Sequence, residues 1–267
     1  MHFNLISDLD ENPAADLQDR ALHYGDGLFE TLLLDNGQVK FWSEHYHRLQ
    51  KSARRLNIAC PDADWLQRQL QPYIHLDQRL VIKIILTRGS GGRGIQLPEK
   101  TAPNIYLLKY SSDNILINQS VKITTSSITL SDNLNLAGIK HLNRLDYVLA
   151  SSELGQTTGF DDALLKDTRG HVVEGIIHNL FFVRDGIIHS PDLTRCGVDG
   201  VMRQVILKKL KQWQKSVKIG HYSLQEVLNA DECFLCNSVQ GIRPIHTLGQ
   251  HAFATGDITQ RLQQITR

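Results

Sequence analysis

Two Asx-Gly dipeptides constrain this chain more than any other feature. Asn36-Gly37 separates the β-rich run Gly27 to Leu34 from Val39-Lys40-Phe41, and Asp185-Gly186 interrupts a second apolar run over 179–189. Such dipeptides tolerate the left-handed backbone of a two-residue hairpin, so each marks an antiparallel pair. Leu80 to Leu86 and Asn104 to Tyr110 are continuous apolar strands, and 2–5, 121–125, 162–166, 171–174 and 231–236 read as further ones. Helices are expected from a Ser43 cap through Arg55, from Asp62 or Asp64 through Tyr73, and over about 143–157. Two more follow the face of Met202, Ile206, Leu210 and Trp213 and the start at Asp257. The fold class is α+β, with more hairpins than βαβ units. The polar break at Ser111-Ser112-Asp113-Asn114 divides it into a small N-terminal α/β domain (1–112), a linker (113–120) and a larger C-terminal domain (121–267).

Composition excludes several function classes. The 267 residues are 41% hydrophobic, enough for a sizeable core without disulfides or metal. Lys and Arg number 29 against 28 Asp and Glu, a net charge of +1, which argues against a nucleic-acid partner. The longest apolar stretches, such as Val81 to Leu86, are far too short for a bilayer. Met1-His2-Phe3-Asn4 leads quickly to Asp8, Asp10 and Glu11 without a basic start and apolar run, so the expected location is cytoplasmic. Cys60 and Cys196 are isolated, whereas Cys233 and Cys236 have CxxC spacing. On a strand those two thiols point to opposite faces, which reads as buried small hydrophobes and not as a redox or zinc motif. No metal is expected, because His45 and His47 have no ligand pairing beside them.

Gly89-Ser90-Gly91-Gly92-Arg93-Gly94 satisfies GxGxxG after a strand. A dinucleotide site needs a helix to open there. Pro98 and Pro103 follow within about ten residues, a stretch that does not build one. The glycines indicate a loop with unusual backbone shapes that presents Arg88 and Arg93. A solvated hairpin loop and an anion site both fit that reading.

Lys140 is the single lysine of the run Leu136 to Leu142, just before a helix start. Burial lowers the pKa of a lysine and makes it a nucleophile, although a lysine read alone is better explained as a snorkelling side chain. Three further features favour the first reading. Glu174 ends an apolar strand among Val173, Ile176 and Ile177, where a carboxylate needs a partner. Gly197-Val198-Asp199-Gly200-Val201-Met202-Arg203 is a glycine-punctuated entry to a helix whose first amides suit a phosphate. Arg48 lies on an otherwise packed helix. A covalent lysine, a carboxylate for a pyridine nitrogen and a phosphate cup are what pyridoxal phosphate chemistry requires.

The combination resembles the class IV (fold-type IV) pyridoxal-phosphate enzymes, a family of D-amino-acid and branched-chain aminotransferases and 4-amino-4-deoxychorismate lyases. The segments that carry the likeness run nearly the whole chain: Asp19 to Thr31, His45-Tyr46-His47-Arg48-Leu49, Val173-Glu174-Gly175 with Asn179-Leu180-Phe181, and Asp231 to Ser238 with Pro244 downstream. Arg88 to Gly94 and Gly138 to Leu145 look like segments of the lyases. Ser238 stands where many relatives have threonine, and Ile95 where the D-amino-acid enzymes have histidine.

The resemblance implies a two-domain fold-type IV architecture with pyridoxal 5'-phosphate between the domains. Lys140 would be the catalytic, covalently linked lysine, with Glu174 at the pyridine nitrogen. Arg48, Val201, Met202, Asn237 and Ser238 would hold the phosphate end, and Arg93, Arg88, Tyr24 and Thr31 the substrate. The implied reaction converts 4-amino-4-deoxychorismate to 4-aminobenzoate and pyruvate, with aminotransfer on D- or branched-chain amino acids as the alternative. A homodimer and a functional link to aminodeoxychorismate synthase are implied as well.

Overall fold

A computed structural model describes residues 3–10, 14–74, 79–99 and 102–266. The chain divides into one unit of Met1–Ile115 with Lys140–Asn143 and another of Leu116–Ile139 with Arg144–Arg267.

The first unit contains β1 (Asn4–Ser7), α1 (Arg20–Tyr24), β2 (Gly27–Asp35), β3 (Gln38–Val39), α2 (Trp42–Arg55), α3 (Ala63–Ile74), β4 (Leu80–Thr87) and β5 (Asn104–Ser111). His2, the expected start of the first strand, lies outside the described residues. The sheet order is β1-β5-β4-β2-β3, with β1 parallel to β5 and the other pairs antiparallel. Asn36 and Gly37 make the turn between β2 and β3 at φ of 52° and 69°, as their chemistry predicts. Leu28, Glu30, Leu32 and Leu34 share one face of β2 and are all buried. The helix α2 packs against that strand and buries Leu49 and Ala53.

Ser43 does not cap α2. Phe41 takes a left-handed conformation at φ 55° and starts the helix at Trp42 without any side-chain cap bond. Asp62 does cap α3, its Oδ1 accepting from Trp65 N at 2.7 Å. No helix opens over residues 89–99, so the dinucleotide motif is a loop.

The second unit contains β6 (Val121–Leu130), α4 (Leu145–Gly155), β7 (Asp162–Asp167), β8 (Val172–Gly175), β9 (Asn179–Arg184), β10 (Ile187–Pro191) and α5 (Val201–Gln212). After these come β11 (Val217–Gly220), α6 (Leu224–Leu228), β12 (Glu232–Asn237), β13 (Gly241–Leu248), β14 (His251–Ala252) and α7 (Asp257–Gln263). Their order is β11-β10-β9-β12-β13-β6-β7-β8, and β8 also pairs with β9. The strands β9, β12, β13, β6, β7 and β8 therefore form a closed ring. Val121, Ile123, Leu164, Leu180, Phe182, Leu235 and Ile245 make one apolar cluster of this unit. Asp185 and Gly186 turn the β9–β10 hairpin at φ of 53° and 71°.

Cys233 and Cys236 are both buried on β12, and burial pushes both thiols up. Among the described residues, no helix is long and apolar enough to cross a membrane. The architecture is the expected α+β mixture in two units.

Candidate active site

In the first unit the segment around Lys140 is fixed by β2. Phe29 N donates to Lys140 O at 3.0 Å and Leu142 N to Gly27 O at 3.1 Å. Half-buried Lys140 then places Nζ 4.4 Å from the centroid of the Phe29 ring. Lys83 of β4, opposite Thr31 in register, places its own Nζ 5.0 Å from the same ring. Phe29 and Thr31 alternate with Glu30, so they occupy the face of β2 away from Leu28 and Leu32.

Glu30 organises the buried side. Its carboxylate accepts from Arg48 through Nε at 2.8 Å and Nη2 at 2.5 Å, and from His45 Nδ1 at 2.6 Å. Burial alone would raise the Glu30 pKa, but the Arg48 charge and these bonds outweigh it and hold the group at about 2. Burial lowers the His45 pKa, only partly opposed by Glu30. His45 Nε2 is buried without a hydrogen-bond partner among the described residues. An anion beside that nitrogen would favour its protonated, donating form.

The Glu30 network has a measurable cost of disruption. Glu30→Gln leaves the buried guanidinium without its counter-charge and should destabilise the fold by about 3–5 kcal/mol. Because the folded pKa is depressed, the Glu30 contribution is present above its ordinary value of 4.5 and is lost as pH falls toward about 2. Chemical denaturation at several pH values should show that acid slope in the wild type and a flatter one in Glu30→Gln.

The expected substrate residues of this unit separate into different roles. Arg88 does not present its fork to solvent. It is 9% exposed, pairs with Asp26 at 2.7 and 3.0 Å, and donates to the carbonyls of Leu56 and Asn57 at 2.8 Å each. A guanidinium so committed ties the end of α2 to the end of β4, and its fork already holds the Asp26 carboxylate. Arg93 is exposed in the glycine loop, and Tyr24 is exposed beneath the Arg20 guanidinium.

In the second unit, Glu174 at the end of β8 is 3% exposed. It accepts from Tyr147 OH at 2.6 Å, from Asn179 Nδ2 at 2.8 Å and from Val198 N at 3.0 Å. Burial, and then the Glu174 charge, push the Tyr147 phenol well up, so it remains a donor. Gly197 makes the approach feasible: at φ +84° a Cβ there would stand 2.9 Å from Val173 Cγ1 and 3.2 Å from Glu174 Oε1. Asn179 Oδ1 also accepts from Gly200 N at 3.1 Å, fixing the start of α5, whose first residues are Val201 and Met202. First-turn amides have no partner within their own helix.

Ser238 lies in the turn after β12. Asn237 shapes that turn, its Oδ1 accepting from Val239 N at 3.0 Å and Gln240 N at 2.6 Å. Its Nδ2 reaches Ile177 O at 3.4 Å, so its amide is engaged within the protein. His178 ties the β8–β9 turn to the same place, bonding Asp162 at 2.5 Å and Gln240 Oε1 at 2.7 Å.

Sequence reasoning gave no role to Glu30, Tyr147 or His178, and considered His45 only as a metal ligand. For Glu30 a signal existed: it is the one carboxylate in a strand face otherwise made of Leu28, Leu32 and Leu34. Tyr147 has none, because its phenol meets Glu174 only through the fold.

The family described as Amino-transferase class IV matches residues 27–248. The aminodeoxychorismate lyase of Vibrio harveyi is 33% identical over 92% of this chain and 93% of its own. The D-alanine aminotransferase of Bacillus licheniformis is 26% identical over 94% and 89%. The crystal structure of 4-amino-4-deoxychorismate lyase from Pseudomonas aeruginosa superposes with a TM-score of 0.89 at 37% identity, covering 97% of each chain. With its signature strand, its lysine segment and its buried glutamate inside the matched region, the chain belongs to the class IV aminotransferase family.

Proposed function

We propose that this chain is a pyridoxal 5'-phosphate-dependent lyase that converts 4-amino-4-deoxychorismate to 4-aminobenzoate and pyruvate. The observation that carries the reading is its likeness, at 37% identity over 97% of the chain, to a solved 4-amino-4-deoxychorismate lyase. The D-alanine aminotransferase of Bacillus licheniformis stands lower, at 26%.

The residues present fit the cofactor. Lys140 is fixed through its backbone and supplies the amine. The buried Glu174 carboxylate has about four acceptor sites and suits a protonated ring nitrogen. His45 Nε2 is a buried nitrogen in want of a partner, as an anion would provide. Arg48, the first-turn amides of Val201 and Met202, and Ser238 are assigned to the phosphate group. Arg93, Tyr24 and Thr31 are assigned to the substrate. When bound, the cofactor accepts the electron pair left behind by deprotonation beside the substrate nitrogen. Lys140 Nζ takes that proton from the carbon that bears the amine. As the bond from the neighbouring carbon to the enolpyruvyl oxygen breaks, Lys140 Nζ returns the proton to the departing group, which leaves as the enol and tautomerises to pyruvate. Glu174 keeps its charge beside the ring throughout, and loss of the ring hydrogen makes the product aromatic.

Two finer points belong to the same proposal. Leu145, Val148 and Leu149 of α4 are 75%, 58% and 53% exposed, an apolar face that suits a second copy of the chain. Sedimentation velocity should give the mass of a homodimer. The unpaired Cys196, Cys233 and Cys236 suit a reducing, cytoplasmic setting, which cell fractionation checks.

The deciding experiment supplies chorismate, glutamine and an aminodeoxychorismate synthase to the cofactor-loaded protein. 4-Aminobenzoate should accumulate, and its absence overturns the reading. Conversion of the bound cofactor to its pyridoxamine form by D-alanine or a branched-chain amino acid alone would assign an aminotransferase instead.

A further inference from the structure

Arg20 opens α1 and yet is only 3% exposed. Its guanidinium is wrapped by the glycine loop. Nη1 donates to the carbonyls of Gly94 and Gln96, each at 3.2 Å, and reaches that of Gly91 at 3.5 Å. Nη2 donates to Ile95 O at 3.1 Å. On its other side Nε pairs with Asp26 at 3.0 Å, and the guanidinium carbon stands 4.8 Å from the centre of the Tyr24 ring. One buried cation therefore gathers carbonyls from both sides of Arg93.

The glycines make this possible. Gly91, Gly92 and Gly94 take φ of 111°, 80° and 65°, which turn the carbonyls inward. A Cβ at Gly92 would stand 2.7 Å from Gln96 O and 3.3 Å from Arg20 Nη1. With the carbonyls inside, the side chains of Arg93 and Ile95 point outward, and Ile95 is 84% exposed. Without an organising centre, a loop this rich in glycine would sample many shapes, and holding Arg93 in one of them would cost conformational entropy.

We infer that Arg20 is a positioning residue: it shapes the Gly91–Gln96 loop so that Arg93 meets a carboxylate of the dianionic substrate, and so sets substrate affinity. This rests on the lyase reading above. Arg20 itself touches no reacting atom, since its donors face backbone carbonyls and Asp26.

The test uses the cofactor-loaded enzyme with Arg20→Met, Gly92→Ala and Arg93→Ala, singly and with Arg20→Met combined with Arg93→Ala. Gly92→Ala disturbs the loop from its own side and leaves the Arg20–Asp26 pair in place, so it decides the matter if Arg20→Met fails to fold. Each single variant should raise KM for the substrate about tenfold, with kcat within about twofold of wild type and the visible cofactor band intact. In the Arg93→Ala background, Arg20→Met should add less than about twofold, because both act through one contact. Trypsin should cut after Arg93 faster in Arg20→Met and Gly92→Ala than in wild type. Additive effects on KM, or an unchanged cleavage rate, would overturn the inference. A wild-type protein that makes no 4-aminobenzoate would overturn the lyase reading, whereas the cleavage rates would still judge the role of Arg20 in the loop.

Discussion

Lys140→Ala should leave a folded protein that no longer shows the visible band of covalently linked cofactor. Its rate of 4-aminobenzoate formation should fall on the order of 10⁴-fold or more, because one amine provides both the covalent link and the proton transfer. Stability should change little. What holds the segment is backbone, Phe29 N to Lys140 O and Leu142 N to Gly27 O, and alanine keeps both bonds. The lost contact of Nζ with the Phe29 ring contributes about 0.5–1 kcal/mol. Absorbance spectra and a thermal melt on the same preparation separate the two effects. Partial recovery of the rate on adding a small primary amine would identify proton transfer as the missing step. Survival of both band and rate would overturn the assignment of Lys140.

Glu174→Gln is expected to be the second most damaging change. The amide has nearly the shape of the carboxylate and keeps one oxygen for Tyr147 or Val198 N. It then turns an NH₂ group toward Asn179 Nδ2, a donor against a donor. The negative charge disappears from a buried position where water does not replace it. With the ring nitrogen no longer held protonated, kcat should fall on the order of 10²–10³-fold. Tyr147→Phe is the control, since it removes one donor and retains the charge, and it should cost about tenfold or less. Steady-state kcat at saturating substrate, with the cofactor band monitored, distinguishes the two. Equal losses in both variants would make the hydrogen-bond geometry, and not the charge, the working element.

What the sequence revealed, and what it concealed, follows from the range of the interactions involved. The hairpins at Asn36-Gly37 and Asp185-Gly186 were legible because two adjacent residues determine them. The cap at Asp62 was legible for the same reason, its carboxylate meeting an amide one turn away. Ser43 misled because Phe41 adopts a left-handed backbone that no β-propensity rule favours for an aromatic residue. The strand β13 was missed because Pro244 and Arg243 interrupt its apolar pattern, although Pro244 still faces Phe234 across the ladder. At the site, Lys140, Glu174 and Arg48 stood out as polar residues in apolar runs. Tyr147 and His178 did not, since their partners Glu174 and Gln240 are reached only when the second sheet forms. Arg88 and Arg93 looked equivalent in one loop; burial separates them, one turned inward to Asp26 and the other exposed.

The ring of strands in the second unit also sets a timetable for the nascent chain. Its β6 lies parallel between β7 and β13, with Val121 opposite Ile245, so one side of β6 waits until nearly the whole protein has been synthesised. Long-range parallel pairing of this kind forms slowly, and an uncovered strand edge invites association between chains. The composition of β6 answers that hazard: Thr124, Thr125, Ser126, Ser127 and Thr129 interrupt its apolar residues and keep the edge compatible with water while it waits. Truncation before β13 would remove the partner of Val121 and leave a chain whose most exposed feature is that edge, bound for aggregates or for proteolysis.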